Sequence, residues 1–100
     1  MKQPEASLAI QVLPQSVQGD EVLRIVDAVI AYIKSSGLNC VVGPFETTIE
    51  GDFEALMEIA KECQRISIQA GASSLLTYMK MAYNPSGGVL SIEEKTVKHG

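Results

Sequence analysis

The feature that most constrains the fold is the order in which strand-like and helix-like patterns follow one another. Positions 7–14 have the alternating pattern of a strand with one buried face. Apolar residues then recur at helical spacing over 20–36, with Asp20 as the expected N-cap and Gly37 as the stop. Two β-prone runs, 38–42 and 47–50, come next, so the first half of the chain predicts a strand, a helix and two strands.

The second half of the chain predicts one more helix and one more strand. Asp52 is expected to cap a helix that ends at Gly71, and residues 75–82 alternate as a fourth strand. Beyond a turn rich in glycine, Ser91 and Glu94 have the spacing of a capping box. This spacing predicts a short, frayed helix at the C-terminus.

The complete order is strand, helix, strand, strand, helix, strand, which is the ferredoxin-like or split βαβ arrangement of an α+β protein. It predicts a four-stranded antiparallel sheet with two helices on one face, plus the short C-terminal helix. A chain of 100 residues is long enough for one core, so we expect a single domain over residues 1–100.

The charge of the chain argues against two kinds of partner. Twelve acidic residues oppose eight basic ones, giving a net charge of -4, which disfavours binding to nucleic acid or to an anionic membrane. No run of apolar residues approaches the roughly 20 needed to span a bilayer, and the first residues carry no leader pattern. We therefore expect a cytoplasmic protein.

Catalytic and metal sites find little support in the sequence. Cys40 and Cys63 lie in apolar patterns, which is typical of reduced, buried thiols. The single histidine, His99, is next to last and distant in sequence from both cysteines, so neither a metal site nor a catalytic triad is expected. The chain also lacks a glycine-rich phosphate loop. We predict no catalytic residue, no metal and no cofactor.

The face of the sheet opposite the helices is where a function is expected. Because side chains alternate along a strand, Gln11, Tyr78 and Lys80 point away from the helices. Thr48 and Glu50 are the expected companions from the third strand. Apolar area mixed with polar groups suits a dimer interface, a ligand platform, or both.

The acidic end of the third strand allows two interpretations. Thr48 and Glu50 share a face, where a hydroxyl and a carboxylate suit a cationic or amine-bearing ligand. Alternatively, Thr48 is an ordinary strand residue and Glu50 forms a salt bridge with Lys80. A bulge near Pro44 would reverse the face that these residues take.

Three segments resemble the small thiamine-binding-protein family, the YkoF-like group. They are Val-Gly-Pro-Phe-Glu-Thr-Thr-Ile-Glu-Gly-Asp at 42–52, Gly-Ala at 71–72 and Thr-Tyr-Met-Lys at 77–80. The likeness spans nearly the whole chain. It implies a ferredoxin-like subunit that pairs through its sheets into dimers and often tetramers, and that binds thiamine or its hydroxymethylpyrimidine part.

The resemblance also singles out residues. The family's strand-three signature corresponds to residues 47–51, and its strand-four lysine corresponds to Lys80. The chain departs from the family pattern at Phe45 and Glu46, where many members have Met-Gly. Combined with the open-face residues, this gives the candidate ligand-binding set Gln11, Phe45, Thr47, Thr48, Glu50, Tyr78 and Lys80.

We therefore expect a non-enzymatic cytoplasmic binding protein for thiamine or a related hydroxymethylpyrimidine. The ligand is expected on the open sheet face near a subunit interface of a homodimer or homotetramer. Two other classes stay open: a regulatory module with another small ligand, and a small enzyme such as a monooxygenase or an acylphosphatase. The last would need an arginine for phosphate, yet Arg24 and Arg65 lie in predicted helices.

Overall fold

The computed structural model describes residues 3–97 and confirms the predicted order of elements. The four strands form one antiparallel sheet in the order β2-β3-β1-β4, which is the ferredoxin-like arrangement. The elements are β1 (Ala6–Gln15), α1 (Asp20–Ser35), β2 (Cys40–Val42), β3 (Thr47–Gly51), α2 (Phe53–Gln69), β4 (Ser74–Tyr83) and α3 (Ile92–Thr96).

Local signals determine where the helices begin. The Asp52 side chain accepts a hydrogen bond from the Ala55 backbone, as expected of an N-cap. The prediction that Asp20 caps α1 is wrong: Gly19 occupies the cap position with a φ of 58°, and Asp20 is the first helical residue. Glycine adopts that left-handed backbone without strain. An acidic residue in the first turn still favours the helix through its dipole.

The core lies between the sheet and the two long helices. Alternate residues of β1, including Leu8 and Ile10, face α1 and α2, and Ile49 of β3 joins them. Their partners on the helices are Val29, Ile33, Leu56, Ile59, Ala60 and Cys63. Both cysteines are free thiols, Cys63 buried and Cys40 half-buried. The two helices therefore cover one face of the sheet, as the sequence predicts.

The register of the strands places the polar residues of β3 as predicted. Thr48 lies opposite Ala9 of β1 and opposite Val41 of β2, and Glu50 lies opposite Ser7. Pairing is regular through β3, so no bulge near Pro44 reverses the faces. Thr48 and Glu50 consequently share the face that points away from α1 and α2.

The short C-terminal helix lies on that second face of the sheet, which is therefore not bare. Ile92 is only 7% exposed, and its backbone N–H donates to Glu50 Oε2 at 3.0 Å. The predicted capping box is confirmed by reciprocal bonds between Ser91 and Glu94. The Ser91 backbone N–H and the Gln3 side-chain amide both donate to Glu94 and lower the pKa of that carboxyl.

The helices of the described part, residues 3–97, include none with the length and apolarity of a membrane span. His99 lies outside the described residues.

Candidate ligand-binding site

A groove of about 420 Å³ separates α3 from the open face of the sheet, and we call it the open-face groove. Its size falls within the range of small-molecule sites. The sheet supplies its floor and most of its rim, and α3 supplies the opposite wall. Its lining includes Ser7, Ala9, Val41, Glu46, Thr48, Lys80, Ala82, Ile92, Lys95 and Thr96.

One row of paired residues crosses the sheet side of the groove. Ala9 lies between Thr48 on β3 and Lys80 on β4, and Val41 of β2 lies beyond Thr48. Because alanine carries a single methyl group, the central strand leaves space between its longer neighbours. The row thus places the small apolar side chain of Ala9 between a hydroxyl on one side and an ammonium group on the other.

An ion pair spans the rim of the groove. Lys80 Nζ lies 3.2 Å from Glu46 Oε2, which the β2–β3 connection delivers to the open face. That connection is closed by a hydrogen bond from the Gly43 N–H to the Glu46 carbonyl at 2.9 Å. A Cβ at position 43 would lie 2.9 Å from the same carbonyl oxygen, so the tight turn requires glycine. Since the pair is largely solvent-exposed, it contributes more to positioning than to stability.

Glu50 has a different role from the one that its position in the sequence suggests. The alternative interpretation, a salt bridge with Lys80, is wrong, because Lys80 pairs with Glu46. Glu50 instead accepts a 2.6 Å hydrogen bond from the Asn39 side chain and the 3.0 Å bond from Ile92. Its carboxylate therefore fixes the start of α3 over the sheet.

The other predicted residues are divided between the two faces. Gln11 and Tyr78 lie opposite each other on the open face, next to the groove, and the Tyr78 side chain is 60% exposed. Phe45 projects from the β2–β3 connection and is 78% exposed. Thr47 lies opposite Ile10 on the helix side and is buried. The structure thus brings Thr48 and Lys80 into the groove, with Gln11, Tyr78 and Glu50 around it, and separates Thr47 from them.

Sequence reasoning missed the part of the groove that α3 contributes. Lys95 and Thr96 line it, although the sequence predicts only a short, frayed helix there and assigns it no part in the site. In the sequence, Glu46 stands out only as a departure from the family pattern and is not among the predicted ligand-binding residues. The usable signal is Ile92, an apolar residue directly after the capping serine, since an isolated apolar residue in a short polar helix needs a surface to pack on.

Among residues 3–97, the arginines lie outside the open-face groove and the metal-ligating side chains are not clustered. Arg24 pairs with Glu21 on α1 and also donates to the Ala70 carbonyl, and Arg65 pairs with Glu62 on α2. Neither arginine lines the open-face groove. Within residues 3–97, no three histidine, cysteine or acidic side chains come together as a metal-binding group.

Comparison with known protein families shows which family this chain belongs to. A family model described as thiamine-binding protein matches residues 8–99 of this chain. The chain belongs to the thiamine-binding protein family. The resemblance found in the sequence is thereby confirmed. This family is not a known class of enzymes.

Several known proteins are similar to this chain in sequence, and two of them have solved structures that share its fold. A UPF0045 protein of Clostridium perfringens is 39% identical over 93 residues, which are 93% of this chain and 95% of that relative. A Bacillus cereus domain of unknown function, DUF77, has a TM-score of 0.87 at 36% identity and covers 100% of this chain and 93% of its own. A Thermotoga maritima protein, provisionally described as a thiamine biosynthesis or salvage protein, has a TM-score of 0.84 at 33% identity, over 97% of this chain and 100% of that one.

Proposed function

We propose that this protein binds thiamine or its hydroxymethylpyrimidine part in the open-face groove, without chemical turnover. The observation that carries the proposal is the sheet side of the groove, where Ala9 lies between Thr48 and Lys80 and the Glu46 carboxylate pairs with the Lys80 ammonium group. Family membership supports the class of ligand. The description of the Thermotoga maritima relative points to the same area of metabolism.

The chemistry of the ligand matches the groups on the rim. The exocyclic amine of an aminopyrimidine donates hydrogen bonds, and Glu46 offers carboxylate oxygens to accept them. The Thr48 hydroxyl is placed to donate to a ring nitrogen, while the ring itself packs on Ala9. The thiazolium of thiamine carries a positive charge that the exposed ring of Tyr78 and the acidic protein both favour.

We also infer that the protein acts as a cytoplasmic homo-oligomer. Beyond the groove, the open face exposes Leu13 of β1 together with Leu76 and Tyr78 of β4. These residues are neighbours across the two strands, so they form one apolar patch. A second copy that covers this patch would bring its own surface to the edge of the groove, which places the ligand near the subunit interface.

Isothermal titration with thiamine, hydroxymethylpyrimidine and thiamine phosphate tests the proposal. We expect saturable binding of thiamine with a Kd near micromolar, or about 8 kcal/mol, and chromatography after incubation should recover the ligand unchanged. Thr48→Val removes the hydroxyl from the groove and should weaken binding roughly fivefold. Thr47→Val is the matched control, because the adjacent threonine points to the other face.

The outcomes are distinct. Absence of heat from thiamine and hydroxymethylpyrimidine contradicts the ligand class. Saturable binding that Thr48→Val leaves unchanged contradicts the location in the open-face groove.

A further inference from the structure

The open-face groove contains two more polar groups, next to α3, that the contacts proposed for thiamine do not use. Ser7 lies on β1 two residues before Ala9, and Lys95 lies on α3, and both line the groove. Ile92, three residues before Lys95, donates its backbone N–H to Glu50, which lies opposite Ser7. The start of α3 is therefore held over the row of the sheet that contains Ser7. We call this part of the groove the α3 end.

Ser7 brings a buried hydroxyl to the α3 end. The residue is only 5% exposed, and the small side chain of Ala82 lies opposite it on β4. Within residues 3–97, the hydroxyls of Ser36 and Ser67 donate to backbone carbonyls, whereas none of the side-chain hydrogen bonds involves Ser7. No fully enclosed side-chain oxygen or nitrogen of these residues lacks a partner. The Ser7 oxygen is therefore open to the groove, and a buried hydroxyl ordinarily has a hydrogen-bond partner.

Lys95 brings a positive charge that no described residue neutralises. The ion pairs of residues 3–97 include Lys61 and Lys80, the latter paired with Glu46, but not Lys95. The charged groups in the lining of the groove are thus one closed ion pair and the Lys95 ammonium group. Because the whole chain has a net charge of -4, this positive charge is a local property of the groove, and it favours an anionic ligand group there.

The donors at the α3 end match a phosphate group. An ammonium group on α3 and a hydroxyl on the sheet approach from two sides, and a tetrahedral phosphate presents oxygen atoms in both directions. The carboxylate of Glu50 is engaged outside this space, since it accepts hydrogen bonds from Asn39 and Ile92 and does not line the groove. An anion at the α3 end therefore meets donors.

The separation of Ser7 and Ala9 sets the size of the ligand. The two residues share a face of β1 and are two positions apart, which is about 7 Å along a strand. A pyrimidine ring over Ala9 with a phosphorylated hydroxymethyl arm has one carbon and one oxygen atom between the ring and the phosphorus. An arm of this length brings a phosphate oxygen to Ser7.

We propose that the α3 end is a phosphate-binding subsite, in which the Lys95 ammonium group and the Ser7 hydroxyl hold the phosphate of a phosphorylated hydroxymethylpyrimidine. The inference rests on the proposed function for the position of the ring, whereas the phosphate contacts depend on residues of their own. It assigns to the groove a preference for the phosphate monoester over the free alcohol.

Calorimetric titration of the full chain in a phosphate-free buffer compares hydroxymethylpyrimidine with its phosphate monoester. We expect the monoester to bind about tenfold more tightly, because its phosphate adds charged hydrogen bonds to the contacts of the ring. Lys95→Met should remove this advantage and leave the affinity for the unphosphorylated pyrimidine unchanged. Lys34→Met, at an exposed lysine in the last turn of α1, is the control of equal charge and should leave both affinities unchanged.

Ser7→Ala tests the buried donor. It should weaken binding of the monoester roughly fivefold and leave binding of the unphosphorylated pyrimidine unchanged. If thermal denaturation shows that Ser7→Ala does not fold, Lys95→Met decides alone, because Lys95 is exposed. A monoester that binds no more tightly than the pyrimidine overturns the subsite, as does an advantage that survives Lys95→Met.

Inorganic phosphate separates this proposal from the proposed function, because it carries no ring. Suppose that it shifts the amides of Ser7 and Lys95 saturably in NMR, while neither thiamine nor hydroxymethylpyrimidine binds. That result would contradict the proposed function alone, and the subsite would take free phosphate. Binding of the pyrimidine with no gain from its phosphate, and no shifts with inorganic phosphate, would contradict the subsite alone.

Discussion

Glu50 stabilises the protein through two hydrogen bonds that join distant parts of the chain. Its carboxylate holds the Asn39 side chain and the backbone N–H of Ile92. Glu50→Ala leaves both donors without this acceptor, so we expect the free energy of unfolding to fall by about 2 kcal/mol. Urea denaturation measures the change. Glu58→Ala, which removes one exposed ion pair with Lys61, is the control and should cost less than about 0.5 kcal/mol. Equal losses in the two variants would contradict the role assigned to Glu50.

Cys63 makes stability depend on pH in the alkaline range. Burial raises the pKa of this thiol from 9.0 to about 11, and the nearby Glu62 carboxylate adds to the shift. The folded state therefore resists forming the thiolate, while the unfolded chain ionises near its usual value. The contribution of this thiol to the free energy of unfolding should be constant below pH 9. It should decrease as the pH rises from 9 towards 11. Urea denaturation at several pH values checks this, and Cys63→Ala should flatten the profile. An identical slope in that variant would contradict the assignment to Cys63.

Residue-level patterns predict the faces of side chains better than their partners. Parity along the strands correctly placed Thr48, Tyr78 and Lys80 on the open face, because regular pairing preserves alternation over each strand. The partner of Lys80 depends instead on the shape of the Gly43–Glu46 connection. A turn that brings Glu46 over the sheet edge has no periodic signature in the sequence.

The starts of α1 and α2 differ, although the sequence predicts an aspartate cap for both helices. Asp52 and Asp20 both precede a helical pattern, yet Asp52 accepts a hydrogen bond from Ala55 whereas Asp20 makes no cap bond. We expect Asp52→Ala to lower the free energy of unfolding by about 1 kcal/mol, and Asp20→Ala to have a smaller effect through the helix dipole. Thermal denaturation of the two variants measures the difference. A larger loss for Asp20→Ala would contradict these cap assignments.

The start of α3 could be predicted from the sequence, but the face of the sheet that it covers could not. The capping box of Ser91 and Glu94 predicted its start, because that motif is local. The side of the sheet that it covers depends on contacts with Glu50 and Gln3, which lie far away in the sequence. The fold was therefore predictable almost completely, while one wall of the open-face groove was not.

The whole molecule carries an apolar patch that we expect a second copy to cover. Leu76 is 52% exposed on the open face, beside Tyr78 and opposite Leu13 of the neighbouring strand. Light scattering after size exclusion should give a mass of two or four chains of 10.7 kDa. Leu76→Glu should shift the protein towards the monomer, because a charge in the interface loses its hydration. Leu23→Glu, on the exposed side of α1, should not. A wild-type mass of one chain would contradict the expected assembly.

The location of thiamine on the protein tests the central claim most directly. Amide chemical shifts of the nitrogen-15-labelled protein, recorded during a titration with thiamine, report where the ligand binds. We predict that the largest shifts come from Ala9, Thr48 and Lys80 across the sheet and from Lys95 on α3, with saturation near micromolar concentration, a binding free energy of about 8 kcal/mol. Saturable shifts restricted to α1 and the end of β1, or no shifts at all, would contradict the open-face groove as the thiamine site.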